Sequence, residues 1–292
     1  MPVSVVPRAG LVMAVLGGLS LAAVLAGIVV CQLSGIPAAV WLRNLAAWVI
    51  GGIAAYFLSR GGSWVFPAAL GLAALLTASS FLGPEQMGVH RWISAGPVSL
   101  NVAMMTLPAA LASLAWLGRT RVWPWFVALA IIGVLAMQPD RSQAAAFGVG
   151  VIWLVLRGDQ KVLTRVAVTA VAALAIAAAW MQPDPLMPVP EVEEILLLAY
   201  AVAPALAVVA FASLLLFSVA PGVLMRKGAT VGRRAGEVLS VYFLISAAMP
   251  FVGAYPVPLV GIGMSPIIGA WLATGVLACL IAAEKTAGGG AR

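Results

Sequence analysis

The sequence predicts an all-α, polytopic transmembrane bundle of about ten spans, with both termini on the cytoplasmic side. Three observations predict it. The first is composition: 9% of the 292 residues are charged and 63% are hydrophobic, with a mean hydropathy of +1.11. A soluble domain carries about 25% charged and 45–50% apolar residues. So few charges do not cover a water-facing surface, which excludes a soluble enzyme, a nucleic-acid-binding domain and a disordered chain. The second observation is a series of long apolar runs. The third is the way the basic residues sort between them.

The apolar runs, of about the 17–25 residues a membrane helix needs, are read in order. They are Gly10–Cys31, Ala39–Leu58, Trp64–Leu82, Leu100–Leu117, Val122–Met137, Gln143–Leu156, Val162–Met181, Ile195–Ala220, Val238–Gly253 and Pro266–Ala283. The whole chain, 1–292, reads as one integral membrane domain. Arg8 before the first run resembles a signal-peptide start, but the run is longer than a cleaved h-region and is read as a retained span. Polar stretches Gly83–Ser99 and Gln182–Glu194 and a basic stretch Pro221–Glu237 separate the runs. Runs five and six are short. Pro139-Asp140-Arg141 between them reads as a turn, and the alternative is a re-entrant pair and eight spans.

With the N-terminus inside, the inner segments hold Arg8, Arg60, Arg119, Arg121, Arg157, Lys161, Arg165, Arg226, Lys227, Arg233, Arg234, Lys285 and Arg292. Only Arg43, Arg91 and Arg141 fall outside. This bias supports an even span count with both termini inside, and it makes the pI near 10.1 a property of cytoplasmic loops rather than a sign of nucleic acid. The acids sort the other way: Glu85, Asp140, Asp184, Glu191, Glu193 and Glu194 are outside. Trp41, Trp64, Trp92, Trp116, Trp123 and Trp180 lie near span ends, as interfacial anchors do. Cys31 and Cys279 fall toward opposite ends of their spans and read as separate thiols. The chain has one histidine, His90, and no zinc-type, Walker or dinucleotide pattern.

Three segments resemble a known family. Gly88-Val89-His90-Arg91-Trp92-Ile93-Ser94-Ala95-Gly96-Pro97-Val98-Ser99 resembles the Arg-Trp-Ile, Gly-Pro signature before the fourth helix of the SEDS (FtsW/RodA/SpoVE) family. Gln138-Pro139-Asp140 is similar to that family's Gln-Pro-Asp turn. Met249-Pro250, Gly253, Pro256-Val257-Pro258 and Gly263-Met264-Ser265 resemble its Leu-Pro-x-x-Gly-x-x-Leu-Pro stretch and the Gly-Gly-Ser that follows, with one inserted residue at Tyr255. The matches occur in the family's order, and the ten-span layout is also the family's.

The resemblance implies a multi-pass protein of the bacterial inner membrane. It implies a peptidoglycan glycosyltransferase that uses a lipid-linked disaccharide in cell division or cell shape, beside a class B penicillin-binding protein and membrane lipids. Alternatives within the resemblance are a catalytically inactive scaffold or regulatory partner and a flippase of the lipid-linked precursor. The family's essential acid ends its outward loop before the eighth helix. Glu194 is the positional match and Glu193 the next, and a carboxylate there can accept the acceptor hydroxyl's proton. Arg91, Trp92, Gln138, Asp140, Arg141, Glu191, Pro256, Pro258 and Ser265 are the expected substrate-binding set. The leaving lipid diphosphate favours an arginine or a divalent cation such as Mg²⁺ nearby; no other cofactor is implied. The chain departs from the family at Met104 and Leu107, which stand where the family has Glu and Lys. It departs again at Ser142-Gln143, in place of Gly-Thr, and in the short Gln182–Glu194 loop.

Overall fold

The computed structural model describes residues 9–96 and 98–289; Arg8, Pro97 and Arg292 lie outside them. Among the described residues the elements are α1 (Ala9–Leu33), α2 (Ala38–Leu58), α3 (Val65–Ser79), β1 (Trp92–Ala95), β2 (Val98–Asn101), α4 (Val102–Leu117), α5 (Trp123–Met137) and α6 (Arg141–Arg157). They continue with α7 (Val162–Met181), α8 (Ile195–Val202), α9 (Pro204–Met225), α10 (Thr230–Ala248) and α11 (Met264–Gly289). Nine of the ten apolar runs each lie mainly on one helix. Six helical stretches are long and apolar enough to cross a membrane unaided. The chain is an all-α, multi-pass membrane bundle.

Three boundaries differ from the sequence reading. The polar stretch before α4 contains an antiparallel ribbon, β1–β2, in which Trp92 faces Asn101 and Ser94 faces Ser99. Four-residue strands in so short a segment have no alternation long enough to detect. The eighth run is not one helix. Pro204 has no N–H and disfavours helical backbone in the residue before it, so Ala203 is extended (φ −160°, ψ 121°) and Pro204 opens α9. The 22 residues of α9 rise about 33 Å and are long enough to span the hydrocarbon on their own, which leaves α8 at the end away from the basic connections. The basic stretch Pro221–Glu237 is mostly helical. α9 runs through Pro221, and α10 starts at Thr230 because Glu284 Oε1 accepts the Val231 and Gly232 amides (3.2 and 3.1 Å), groups a helix start otherwise leaves unpaired.

α11 is the centre of the bundle. Trp271 meets Trp48 edge-on at 5.3 Å and fits only because α1 and α2 present glycines. A Cβ on Gly17 or Gly51 would lie 2.5 or 2.9 Å from its ring. Small residues of this kind let membrane helices approach closely. On α4, Pro108 withdraws the N–H that would bond the Met104 carbonyl, and Gly269 of α11 packs against that carbonyl, where a Cβ would sit 2.2 Å away.

The two ends differ. At the basic end, Arg234 pairs with Asp159 (3.1 Å) and Gln160 Nε2 donates to Gly118 O (2.6 Å). At the other end the connections α3–α4, α5–α6, α7–α8 and α10–α11 converge.

Candidate functional site

The site is built on the α3–α4 connection. Ser80 Oγ donates to His90 O (3.0 Å), and Val102 N donates to Arg91 O (3.4 Å). These bonds hold Arg91 at the root of the ribbon, where it is 5% exposed. Across from it, Asp140 caps α6 by accepting from Gln143 N (3.2 Å) and Ser142 Oγ (3.0 Å). The carboxylate that ends this helix start is also 3.8 Å from Arg91 Nε. Arg91 Nη2 donates to Asp184 Oδ2 (2.7 Å) and to the Pro139 carbonyl. Burial opposes the Arg91 charge, but Asp140 and Asp184 more than offset it and hold its pKa above the ordinary arginine value. One cation thus sits between two anions, and the cluster carries a net negative charge.

This cluster borders a cavity of about 260 Å³. Arg91, Trp92, Asn101 and Met104 form one side, Asp140 and Ser142 another. Leu186, Val189 and Glu193 come from the α7–α8 connection, Pro256 and Gly261 from the α10–α11 connection, and Ser265 from the first turn of α11. Ser265 Oγ accepts from Asn101 N (2.8 Å), joining two of these walls. Glu193 Oε2 accepts from Val189 N (2.8 Å). Burial raises the Glu193 carboxyl pKa above the ordinary glutamate value; Glu191 and Glu194 push the same way, and the Val189 amide offsets part of the effect.

The expected site residues divide. Arg91, Trp92, Asp140, Glu193, Pro256 and Ser265 line the one cavity. Glu194 does not: it stands before α8, makes no side-chain cap bond, and lines a separate lateral groove with Leu197 and Phe251. Its place one residue after Glu193 turns it from the cavity, so Glu193, which borders both spaces, is the carboxylate that reaches in. Glu191 contributes its backbone, accepting from Ile262 N (2.8 Å). Gln138 is 1% exposed and donates to Thr77 O (2.5 Å) and Ser80 Oγ, fastening the α5–α6 turn to α3. Arg141 is drawn to Gln182 O (3.0 Å from Nε) beside the Trp180 ring, away from the cavity. Pro258 lines a smaller apolar chamber with Tyr242 and Ser246, and Met104 borders both spaces. Leu107 is fully buried in the core.

Sequence reasoning missed Asp184 as a site residue; its only signal was membership of the outer acidic set. It also missed Tyr242, whose Oη donates to Gln143 Oε1 (2.6 Å) and so extends a polar chain from Asp140 through Ser142 and Gln143 into α10. Among the described residues no three His, Cys, Asp or Glu side chains group as metal ligands. Asp140 and Asp184 both face Arg91 and Glu193 is bonded to the Val189 amide, so the carboxylates present do not gather as a site for a resident divalent cation.

No family model matches the chain, and no curated protein matches it in sequence. Solved structures do. The rod shape determining protein RodA of Thermus thermophilus aligns with a TM-score of 0.61 at 20% identity, covering 91% of this chain and 95% of that one. The chain has the RodA fold. A single-residue variant of the same RodA gives a TM-score of 0.61 at 20% identity, covering 91% and 96%. A chain from a peptidoglycan synthase complex, described for its structural coordination of polymerization and crosslinking, gives 0.60 at 20% identity, covering 91% and 96%. The alignment runs over nearly the full length of both chains.

Proposed function

We propose that the chain is a divergent, shortened SEDS protein acting in bacterial cell-wall synthesis as a peptidoglycan glycosyltransferase. On this reading it is one domain of ten spans in the inner membrane, with both termini in the cytoplasm. The observation that carries the proposal is the cavity itself. The three segments that resemble SEDS motifs, together with the acidic connection before α8, contribute Arg91, Asp140, Ser265 and Glu193 to one space on a RodA fold.

In the proposed reaction the acceptor sugar hydroxyl attacks the anomeric carbon of the lipid-linked donor. A C–O bond forms there, and the bond to the lipid diphosphate breaks with its electron pair leaving on phosphate. The hydroxyl proton passes to Glu193, whose raised pKa makes it a stronger base than an ordinary glutamate. Arg91 supplies positive charge for the leaving diphosphate, in competition with Asp184. The relative drawn from a peptidoglycan synthase complex supports a crosslinking partner, for which a class B penicillin-binding protein is the candidate.

A second reading, a non-catalytic scaffold of the same machinery, is favoured by Met104 on the cavity wall and by the closed Arg91–Asp184 pair. Purified protein, alone and with its penicillin-binding partner, is incubated with lipid-linked disaccharide in Mg²⁺ buffer. Glycan polymer that disappears in Glu193→Gln supports catalysis. Polymer that survives both Glu193→Gln and Glu194→Gln removes the carboxylate assignment, and no polymer under either condition favours the scaffold.

A further inference from the structure

The wall of the cavity formed by residues 254–263 is gripped from two sides. On the membrane side is Asn44, in the second turn of α2 and 1% exposed. Its Nδ2 donates to Gly261 O (3.0 Å), and its Oδ1 accepts from Gly263 N (3.1 Å). On the opposite side Val257 N donates to Val192 O (3.1 Å) and Ile262 N donates to Glu191 O (2.8 Å). The layers are in direct backbone contact: a Cβ on Gly261 would lie 2.4 Å from Val192 O. α1 closes the third side, where a Cβ on Gly27 would lie 1.9 Å from Val260 O. The turn itself holds Leu259 at φ +64° while burying its side chain, a conformation that persists only where the surroundings enforce it.

An asparagine on a membrane helix is costly unless its amide is bonded. Asn44 uses both ends of its amide, and both partners are backbone groups of the turn. A shift of the amide therefore moves the turn, and the turn in turn moves the segment 191–192 that immediately precedes Glu193. No side chain intervenes to absorb the movement.

We infer that Asn44 is a positioning residue for Glu193, its side-chain amide acting through two layers of backbone, the 254–263 turn and the segment 191–192. The inference rests on the reading of Glu193 as the base. Hydrogen exchange on the full-length protein in nanodiscs tests it, with Asn44→Leu as an apolar replacement of similar size and Asn44→Asp as a variant that keeps the acceptor for Gly263. In Asn44→Leu the amides of 257–263 and also of 191–194 should exchange faster, with amides at the basic end unchanged. Polymerisation should lose about tenfold in kcat at unchanged KM for the lipid-linked disaccharide, and Asn44→Asp should fall between. Faster exchange confined to 261–263, or wild-type exchange at 191–194, overturns the proposal. So does a wild-type kcat in Asn44→Leu. The exchange result stands apart from catalysis: a protein that makes no glycan yet transmits the loosening to 191–194 loses the base reading and keeps the brace.

Discussion

Arg91 Nη2 lies 2.7 Å from Asp184 Oδ2, although the two residues are 93 positions apart in the chain. The pair closes the short α7–α8 connection over the root of the β1–β2 ribbon, with Asp140 on the other flank of the guanidinium. Removing the cation leaves two carboxylates buried together, whereas removing Asp184 leaves a one-to-one pair. Arg91→Gln is therefore expected to destabilise the protein by about 3–5 kcal/mol and Asp184→Asn by about 1–3 kcal/mol. Thermal unfolding in detergent ranks the two, and a larger loss in Asp184→Asn would contradict the assignment of Arg91 as the hub.

The same pair predicts an opposite effect on substrate. Asp184 competes with a diphosphate for Arg91, so Asp184→Asn should lower KM for the lipid-linked donor. Arg91→Gln should raise KM and reduce kcat together, because the charge is wanted most as the leaving group departs. Steady-state kinetics over a range of donor concentration separates these outcomes. An unchanged KM in Asp184→Asn would mean that the pair does not gate the charge.

Glu193 sets activity against stability. As the base, its loss in Glu193→Gln should cost about 10²–10⁴ in rate, while Glu194→Gln, on the lateral groove, stays near wild type. The sign for stability follows from its raised pKa. The folded state binds the proton more tightly than the unfolded chain. That contribution is fully present below the unfolded glutamate pKa and is lost as pH rises through the folded value. At neutral pH the burial of the charged carboxylate is thus unfavourable, and Glu193→Gln should melt at a higher temperature than wild type while losing activity. The acidic limb of the rate profile should lie above the ordinary glutamate range, and a limb at or below that range would count against Glu193 as the base.

Much of this fold was legible because membrane helices are specified by composition over long windows. Nine of the ten runs each lie mainly on one helix, since an apolar run in lipid satisfies its backbone only as a helix or a closed barrel. What escaped were features set by one residue or by distant partners. Pro204 splits α8 from α9 through a local clash that a hydropathy window averages away. Glu284 extends α10 backward from the far end of the chain. The candidate site was legible as a set of segments, because Arg91, Asp140 and Ser265 lie in recognisable motifs. The choice between Glu193 and Glu194 was not, because adjacent residues at a helix start point in different directions and only packing decides which faces inward. Asn44 carries no sequence signal beyond being polar inside an apolar run.

The polar chain beneath Asp140 gives a further test. Tyr242 Oη donates to Gln143 Oε1 at 2.6 Å, and Tyr242 and Gln143 are both buried. Tyr242→Phe leaves the amide oxygen of Gln143 without its donor, at a cost of about 1–3 kcal/mol. Because Gln143 N also donates to Asp140, the loosened residue should reach the site, and the amide of Gln143 should exchange faster along with the loss of melting temperature. Loss of melting temperature with unchanged exchange at 143 would confine Tyr242 to packing α10 against α6.

The orientation of the bundle is open to a direct chemical test. The excess of basic residues at one end predicts that this end is cytoplasmic, so the β1–β2 ribbon should face outward and the α4–α5 connection inward. Ser94 and Thr120 are exposed, and both native cysteines, Cys31 and Cys279, are buried, so the background for labelling is low. On intact spheroplasts a membrane-impermeant maleimide should label Ser94→Cys fully and Thr120→Cys only after the membrane is opened. The reverse pattern would invert the bundle and put Glu193 and Arg91 on the cytoplasmic side. Labelling of both sites on intact cells would break the alternation of spans between them and, with it, the even count on which a common side for the four connections around the cavity depends.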